Sequence, residues 1–245
     1  MVRTRPLIVA HRGFSGRFPE NTIRAFQEAL KLPVDAIELD VRTTADSVLV
    51  VIHDETVDRT TNGSGRVRDL TWDEIRHLDA GIQRGEKFAG ERIPSLDEAL
   101  ETIQGKTMLL VEIKETGTEE RIIKVLDRHA ALEWVTLVSF HADAIAAAKK
   151  IAPQISCMLI GGRDIGSSDA AFSDFVRAAL NSYANAVTVH YAALTEERIR
   201  YCHQHHLFVG TWTVDEEDLA EKLVLMGADE IATNFPDILL AMLTA

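Results

Sequence analysis

Short apolar runs alternate with amphipathic stretches along almost the whole chain of 245 residues. This alternation is typical of β-strands that are each followed by an α-helix and that pair into a parallel sheet. Eight apolar runs with strand composition fit this pattern: Leu7–Ala10, Ala36–Val41, Met108–Ile113, Val135–Ser139, Ile155–Ile160, Ala186–Val189, Leu207–Thr211 and Glu230–Thr233. Eight such units in a chain of this length predict a closed (β/α)8 TIM barrel, as a single domain over residues 1–245.

The main rival architecture is a doubly wound open sheet. That fold usually has fewer strand and helix units, and its first turn carries a glycine-rich sequence that binds a dinucleotide. The first turn of this chain reads His11-Arg12-Gly13 and lacks that pattern. The sequence therefore favours the barrel.

A polar segment, Glu55–Arg92, interrupts the alternation after a further apolar run, Val48–Ile52. It contains a turn-forming sequence at residues 60–65 and then a capping box, in which Thr71 stands three residues before Glu74. These signals predict a loop and a short helix. We expect them to form a small insertion after strand 2 of the barrel, at about residues 55–92.

Charge and composition exclude several kinds of partner. The formal net charge of −12 argues against nucleic acid or an anionic membrane surface as the main partner. No apolar run approaches the ~18 residues that a membrane span needs, and the N-terminus lacks the hydrophobic core of a signal peptide. Cys157 and Cys202 do not have the spacing of a disulfide framework or a cysteine zinc site. We therefore expect a cytoplasmic protein with no stable membrane association.

Three carboxylates are predicted to converge at one end of the barrel. Glu38 and Asp40 are separated by one residue, so on a strand they face the same way with Cα atoms roughly 6–7 Å apart. Glu112 follows near the end of the next barrel strand, and active sites of this fold lie at the carboxyl ends of the strands. Like charges this close stay ionised together only around a cation. Oxygen ligands without paired thiols favour Mg²⁺ or Ca²⁺ over Zn²⁺.

Removal of that cation has an expected electrostatic effect. The three carboxylates would then repel one another, with only Lys114 and Arg12 to offset the repulsion. We therefore expect the pKa values of all three carboxyl groups to rise in the metal-free protein.

Other polar residues follow the same strand ends. His11 and Arg12 follow the first strand, Lys114 faces the same way as Glu112, and Trp212 follows the seventh barrel strand. His53 adds a side chain that can carry a proton near neutral pH. Two further histidines, His141 and His190, also lie at strand ends, and we expect them to have structural or supporting roles.

Seven short motifs occur in order along the chain. They are His11-Arg12-Gly13, Pro19-Glu20-Asn21-Thr22, Glu38-Leu39-Asp40-Val41, His53-Asp54, Arg59-Thr60-Thr61 with Gly63 and Gly65, Glu112-Ile113-Lys114, and Thr211-Trp212-Thr213-Val214-Asp215. Through these motifs the chain resembles the glycerophosphodiester phosphodiesterase family over nearly its whole length. The resemblance implies a metal-dependent enzyme that cleaves glycerophosphodiesters, such as glycerophosphocholine or glycerophosphoethanolamine, to sn-glycerol 3-phosphate and an alcohol.

The resemblance also implies a role for each candidate residue. The metal ligands would be Glu38, Asp40 and Glu112, the acid–base pair His11 and His53, and the substrate-binding residues Arg12, Lys114 and Trp212. The attacking oxygen would belong to water or to the 2-hydroxyl of the glycerol itself. Trp212 has an alternative role in packing of the barrel, where large aromatic side chains are common.

Two alternative functions stay open at this stage. One is a lysophospholipase D-like activity on lipid substrates, against which the sequence shows no basic and aromatic amphipathic stretch for docking on a lipid surface. The other is a barrel that binds phosphorylated small molecules without catalysis, for which a pair of proton-transferring histidines would have no use. The oligomeric state is expected to be a monomer or a homodimer.

Overall fold

The computed structural model describes residues 5–244 and contains a closed barrel of eight parallel strands. The described residues form nine strands, of which all except β3 belong to the barrel: β1 Leu7–Ala10, β2 Ala36–Thr43, β3 Leu49–Val51, β4 Met108–Ile113, β5 Val135–Ser139, β6 Ser156–Gly161, β7 Ala186–His190, β8 Phe208–Trp212 and β9 Glu230–Thr233. The ring closes because β1 pairs in parallel with both β2 and β9. The predicted (β/α)8 TIM barrel is thus confirmed.

Helices fill the connections between the strands and cover the outside of the barrel. They are α1 Ile23–Ala29, α2 Trp72–Ile75, α3 Leu96–Ile103, α4 Glu119–Arg128, α5 Ala142–Ile151, α6 Asp169–Asn181, α7 Glu196–Gln204, α8 Glu217–Met226 and α9 Pro236–Thr244. The capping box of Thr71 and Glu74 begins α2, as predicted. Among residues 5–244, no helix is both long enough and apolar enough to cross a bilayer.

Successive side chains of a strand point in opposite directions, so each barrel strand has one set of side chains outside the ring and one set inside it. Ile37 and Leu39 of β2 belong to the large apolar core that the strands share with the surrounding helices. A second, smaller apolar cluster fills the inside of the ring, with Val9, Ala36, Leu110, Val138, Met158, Ile160, Ala186 and Ala232. Glu38 and Asp40 alternate with Ile37 and Leu39, so their carboxylates face the inside of the barrel.

The apolar run Val48–Ile52 does not belong to the ring. Its central part is β3, which pairs with β2 in the antiparallel direction. The polar segment that follows packs on a separate apolar cluster made of Val50, Ile52, Val57, Val67, Ile75, Ala80 and Ile93. This segment therefore extends β2 and β3 with a small packed unit at the edge of the barrel.

Two neighbouring polar residues before helix α1 have different roles. Thr22 caps α1, with its hydroxyl accepting a hydrogen bond from the Ala25 N–H at 3.2 Å. Asn21 instead has a φ of 56° and is almost fully buried. Its side chain points into the site described below.

Candidate active site

The three predicted carboxylates meet inside the barrel, on β2 and β4. Asp40 and Glu112 are directly opposite each other in the parallel register of these strands, and Glu38 precedes Asp40 on the same face. One carboxylate oxygen from each residue lies within 4.8 Å of the other two, and all three residues are buried. Strand β2 continues for three residues beyond Asp40, so this cluster lies within the strands and not at their last residues.

The side chains of Lys114 and Arg12, together with the Arg12 backbone N–H, hold the carboxylates in place. Lys114 Nζ lies 2.8 Å from Asp40 Oδ1 and 2.7 Å from Glu112 Oε1. The Arg12 backbone N–H donates to Glu38 Oε2 at 2.9 Å, and Arg12 Nε lies 3.3 Å from Asp40 Oδ2. The carboxylates therefore keep a fixed arrangement through their neighbours.

The three carboxyl groups differ in acidity. Burial, reinforced by the neighbouring carboxylates, raises the pKa of Glu38 well above its usual range and that of Glu112 to about 7. Burial also acts to raise the pKa of Asp40, but the Lys114 ammonium and the Arg12 guanidinium outweigh it, so this pKa is lowered. The expectation of three raised pKa values is thus correct for the two glutamates and wrong for Asp40, because Asp40 alone contacts both cations.

This cluster fits a hard divalent cation. It offers carboxylate oxygens only, and two of its three acids resist ionisation in the absence of a further positive charge. Such acids gain the most from a cation that compensates their burial and mutual repulsion. The donor set matches what Mg²⁺ and Ca²⁺ prefer.

His11 is oriented by a short relay of hydrogen bonds. Its Nδ1 lies 2.8 Å from Asn234 Oδ1, which also accepts a hydrogen bond from the Ser15 hydroxyl. The amide of Asn234 donates in turn to Asp215 Oδ2 at 2.7 Å, which fixes the amide orientation. An amide oxygen can only accept, so Nδ1 of His11 carries the proton and Nε2 faces the carboxylates, 4.0 Å from Glu38 Oε2. Burial, followed by the charge of Arg12, lowers the pKa of His11 to about 4.

His53 is oriented by its neighbour in the sequence. Its Nδ1 lies 2.7 Å from Asp54 Oδ1, which leaves Nε2 for the cavity. Burial lowers the pKa of His53. The negative charge of Asp40 raises this pKa, whereas the positive charges of Lys114 and Arg12 lower it further. Both histidines therefore present an unprotonated Nε2 in their neutral form.

One cavity joins these groups to an apolar wall. Its polar side is lined by His11, Arg12, Glu38, His53, Glu112 and Lys114. Its other side is lined by Leu110, Val138, Phe140, Ile160 and Trp212. All of the predicted site residues except Asp40, which lies beneath the surface, therefore line a single cavity at the carboxyl end of the barrel.

Trp212 packs edge-on against two aromatic rings at the mouth of this cavity. The ring centroids of Phe140 and His190 lie 5.7 Å and 5.3 Å from that of Trp212. His190 thus supports the aromatic wall. His141 precedes helix α5 and is exposed, away from the residues that line the cavity.

Several polar residues in contact with the site have no role in the prediction from sequence. Asn21 donates to Asp40 Oδ2 at 2.7 Å, and Asn234 and Asp215 orient His11. Asn21 stands in one of the motifs quoted above, whereas the signal for Asn234 is only its position directly after the last strand, β9. Asp215 ends another of those motifs; it lies before α8, which begins at Glu217, and binds the loop after β9.

Comparisons with known proteins identify the family of this chain. The model of the glycerophosphoryl diester phosphodiesterase family matches residues 11–238. The chain is 41% identical over 242 residues to a glycerophosphodiester phosphodiesterase of Caldanaerobacter subterraneus, a match that covers 96% of this chain and 97% of the relative. It is 33% identical over 254 residues to a glycerophosphodiester phosphodiesterase of Bacillus subtilis, with 96% and 85% covered.

Two solved structures extend the comparison to three dimensions. A phosphodiesterase of Oleispira antarctica, in complex with the product sn-glycerol-3-phosphate, matches with a TM-score of 0.88 at 27% identity over 98% of both chains. A glycerophosphodiester phosphodiesterase from Agrobacterium tumefaciens matches with a TM-score of 0.82 at 30% identity, covering 96% of this chain and 99% of that one. The family match, the relatives and the fold agree, and the chain belongs to the glycerophosphoryl diester phosphodiesterase family.

Proposed function

We propose that this chain hydrolyses glycerophosphodiesters to sn-glycerol 3-phosphate and an alcohol. The observation that carries the proposal is that a buried carboxylate cluster and two histidines with inward-facing Nε2 atoms surround one cavity. The relative from Oleispira antarctica, solved with sn-glycerol-3-phosphate, supports the same reaction.

The metal ligands in this proposal are Glu38, Asp40 and Glu112, and the ion is Mg²⁺ or Ca²⁺. When bound, the ion supplies positive charge that stabilises the negative charge growing on the phosphoryl oxygens in the transition state. Lys114 keeps Asp40 ionised and Asn21 orients it, so one ligand is already charged and in place when the ion binds.

Arg12 and Lys114 bind the phosphodiester. The Arg12 guanidinium is planar and matches two phosphate oxygens, whereas Lys114 contributes a compact charge beside the carboxylates. One buried N–H group of the cavity wall, Trp212 Nε1, has no hydrogen-bond acceptor among residues 5–244. This group is available to an oxygen atom of a substrate, and the Trp212 ring covers its carbon atoms.

His11 and His53 transfer the protons. One Nε2 accepts the proton of the attacking oxygen, which belongs to water or to the glycerol 2-hydroxyl. Attack by the 2-hydroxyl forms a cyclic phosphate, which a water molecule then opens to sn-glycerol 3-phosphate. The other ring, in its protonated form, gives its Nε2 proton to the alkoxide that leaves phosphorus, so that the alcohol departs neutral. Each transfer typically contributes about 10²–10⁴ in rate.

The Asn234→Ala variant tests the orientation of His11. We expect kcat to fall by about 10–100-fold, the usual effect of removing a group that orients an active-site side chain, because the ring loses its Nδ1–H acceptor. Binding of the divalent cation should not change, since Asn234 contacts none of the three carboxylates. Steady-state kinetics and calorimetric metal titration measure both quantities. A matched loss of metal affinity would contradict this role.

The reaction itself is tested by ³¹P NMR of the products formed from a panel of phosphodiesters. The panel contains glycerophosphocholine, glycerophosphoethanolamine and lysophosphatidylcholine. We expect sn-glycerol 3-phosphate from the first two. Release of phosphocholine would show cleavage of the other ester bond, turnover of the lysolipid alone would show the lipid-directed activity, and binding without turnover would show a non-catalytic barrel.

A small-molecule phosphodiester is therefore the proposed substrate. The cytoplasmic location and the monomeric or homodimeric state stay predictions from the sequence.

A further inference from the structure

An unbroken chain of charged side chains connects the two sides of the cavity through the segment after β3. It runs from Arg12 through Glu20, Arg59 and Asp54 to His53, with alternating charges. Its ends are the proposed phosphate-binding arginine and one of the proposed proton-transfer histidines. Its centre, Arg59, belongs to the polar segment that leaves the barrel after β3.

Arg59 forms hydrogen bonds with two carboxylates. Its Nη1 and Nη2 donate to Glu20 Oε2 and Oε1 at 2.9 and 2.8 Å. Its Nε and Nη2 donate to Asp54 Oδ2 and Oδ1 at 2.6 and 3.1 Å. Two parallel hydrogen bonds to each carboxylate fix the plane of that carboxylate as well as its position.

Each of these two carboxylates also binds one side chain of the proposed active site. Glu20 Oε1 accepts a hydrogen bond from Arg12 Nη1 at 2.8 Å, which fixes the position of the end of that guanidinium. Asp54 Oδ1 lies 2.7 Å from His53 Nδ1, which sets the ring orientation and tautomer. Displacement of Arg59 would therefore disturb Arg12 and His53 together.

A purely stabilising role does not account for this geometry. The Arg59 side chain is 48% exposed, so solvent screens its charge and reduces what its ion pairs contribute to stability. The four directional hydrogen bonds, in contrast, restrict orientation at two carboxylates. We infer that Arg59, which lies in the segment after β3, is a positioning residue. Through its two carboxylate partners it fixes the orientation of the phosphate-binding Arg12 relative to the proton-transferring His53.

This inference rests on the proposed function, and Arg59→Ala is its first test. We expect kcat/KM for glycerophosphocholine to fall about 10–100-fold, with kcat reduced through His53 and KM raised through Arg12. The melting temperature and the affinity for the divalent cation should stay close to those of the wild type. Arg92→Ala is the matched control, because Arg92 lies in the same segment and donates only to the His77 carbonyl in the hydrogen bonds of the described residues. It should retain wild-type kinetics.

Two further variants separate positioning from simple loss of charge. Arg59→Lys keeps the charge but cannot bind two carboxylates with paired hydrogen bonds, so it should stay impaired. Millimolar guanidinium should partly restore Arg59→Ala, because the half-exposed site is open to solvent, and sodium chloride at equal ionic strength should not. In the double variant Glu20→Gln with Arg59→Ala, the fold-loss of kcat/KM should be smaller than the product of the fold-losses in the two single variants. Wild-type activity in Arg59→Lys would overturn the inference.

A spectroscopic test does not depend on turnover. Long-range ¹H–¹⁵N spectra of the imidazole rings should show His53 with its proton on Nδ1 in the wild type and a changed tautomer pattern in Arg59→Ala. Unchanged His53 signals in a folded Arg59→Ala would refute the positioning role. If the wild type hydrolyses no glycerophosphodiester, the proposed function fails by itself, and these spectra still decide whether Arg59 orients His53.

Discussion

Replacing His53 by alanine is expected to lower kcat by about 10²–10⁴-fold, the range that general acid–base catalysis contributes. The affinity for the divalent cation should remain close to that of the wild type, since the His53 side chain is held by Asp54 and not by the three carboxylates. Steady-state kinetics at saturating Mg²⁺ or Ca²⁺, together with calorimetric metal titration, separate the two quantities.

Two comparison variants make this result specific. His141→Ala removes an exposed histidine outside the cavity lining and should leave kcat unchanged. Glu112→Gln should show the opposite division of effects from His53→Ala, with a large loss of metal affinity. If His53→Ala and Glu112→Gln lost metal equally, the assignment of His53 to proton transfer would be wrong.

Binding of Mg²⁺ or Ca²⁺ is expected to raise the melting temperature of chelator-treated protein substantially. A ligand present at 100 times its dissociation constant stabilises the folded state by about 2.7 kcal/mol. For a chain of this size, that corresponds to a rise of roughly 5–11 °C. Thermal unfolding followed by circular dichroism measures the shift. If the melting temperature did not change at millimolar concentrations of either ion, the result would count against the carboxylate cluster as a metal site.

The same shift should depend on pH in a defined direction. Glu112 has a pKa raised to about 7, so the metal-free folded state binds its proton more tightly than the unfolded chain does. The stability that this proton confers is present below the unfolded pKa of Glu112 and is lost as pH rises through about 7. A metal ion requires the ionised carboxylates, so its stabilising effect should be larger at pH 8 than at pH 5.5. Melting curves at the two pH values, with and without metal, measure the difference, and an effect of equal size would contradict the raised pKa.

Glu112→Gln provides the control for both temperature effects. The amide keeps the volume of the side chain but removes the ionisable group. The variant should therefore lose most of the metal-dependent shift at both pH values.

Much of this fold follows from local sequence patterns. The alternation of apolar runs and helical segments predicts the eight barrel strands within one or two residues, because strand and helix periodicities are properties of neighbouring residues. The same local rule places Glu38 and Asp40 on one face. The closed ring makes β2 and β4 neighbours, and their observed register places Glu112 opposite Asp40.

Contacts between distant segments lie beyond such patterns. Asn234 orients His11 from 223 positions along the chain, and nothing in the local sequence around either residue specifies that contact. Asn21 illustrates a different limit, because its side chain suits a helix cap and the buried Asp40 equally well. The bridging role of Arg59 depends on how the segment after β3 folds back towards Glu20, which turn signals alone do not determine.

The most direct test of the proposed chemistry is the initial rate of sn-glycerol 3-phosphate release from glycerophosphocholine by chelator-treated protein, measured with and without Mg²⁺ or Ca²⁺. We expect almost no turnover without metal, recovery on its addition, and no recovery in Glu112→Gln at the same metal concentration. Full turnover in the chelated protein, or equal recovery in wild type and Glu112→Gln, would contradict a metal-dependent reaction at these carboxylates.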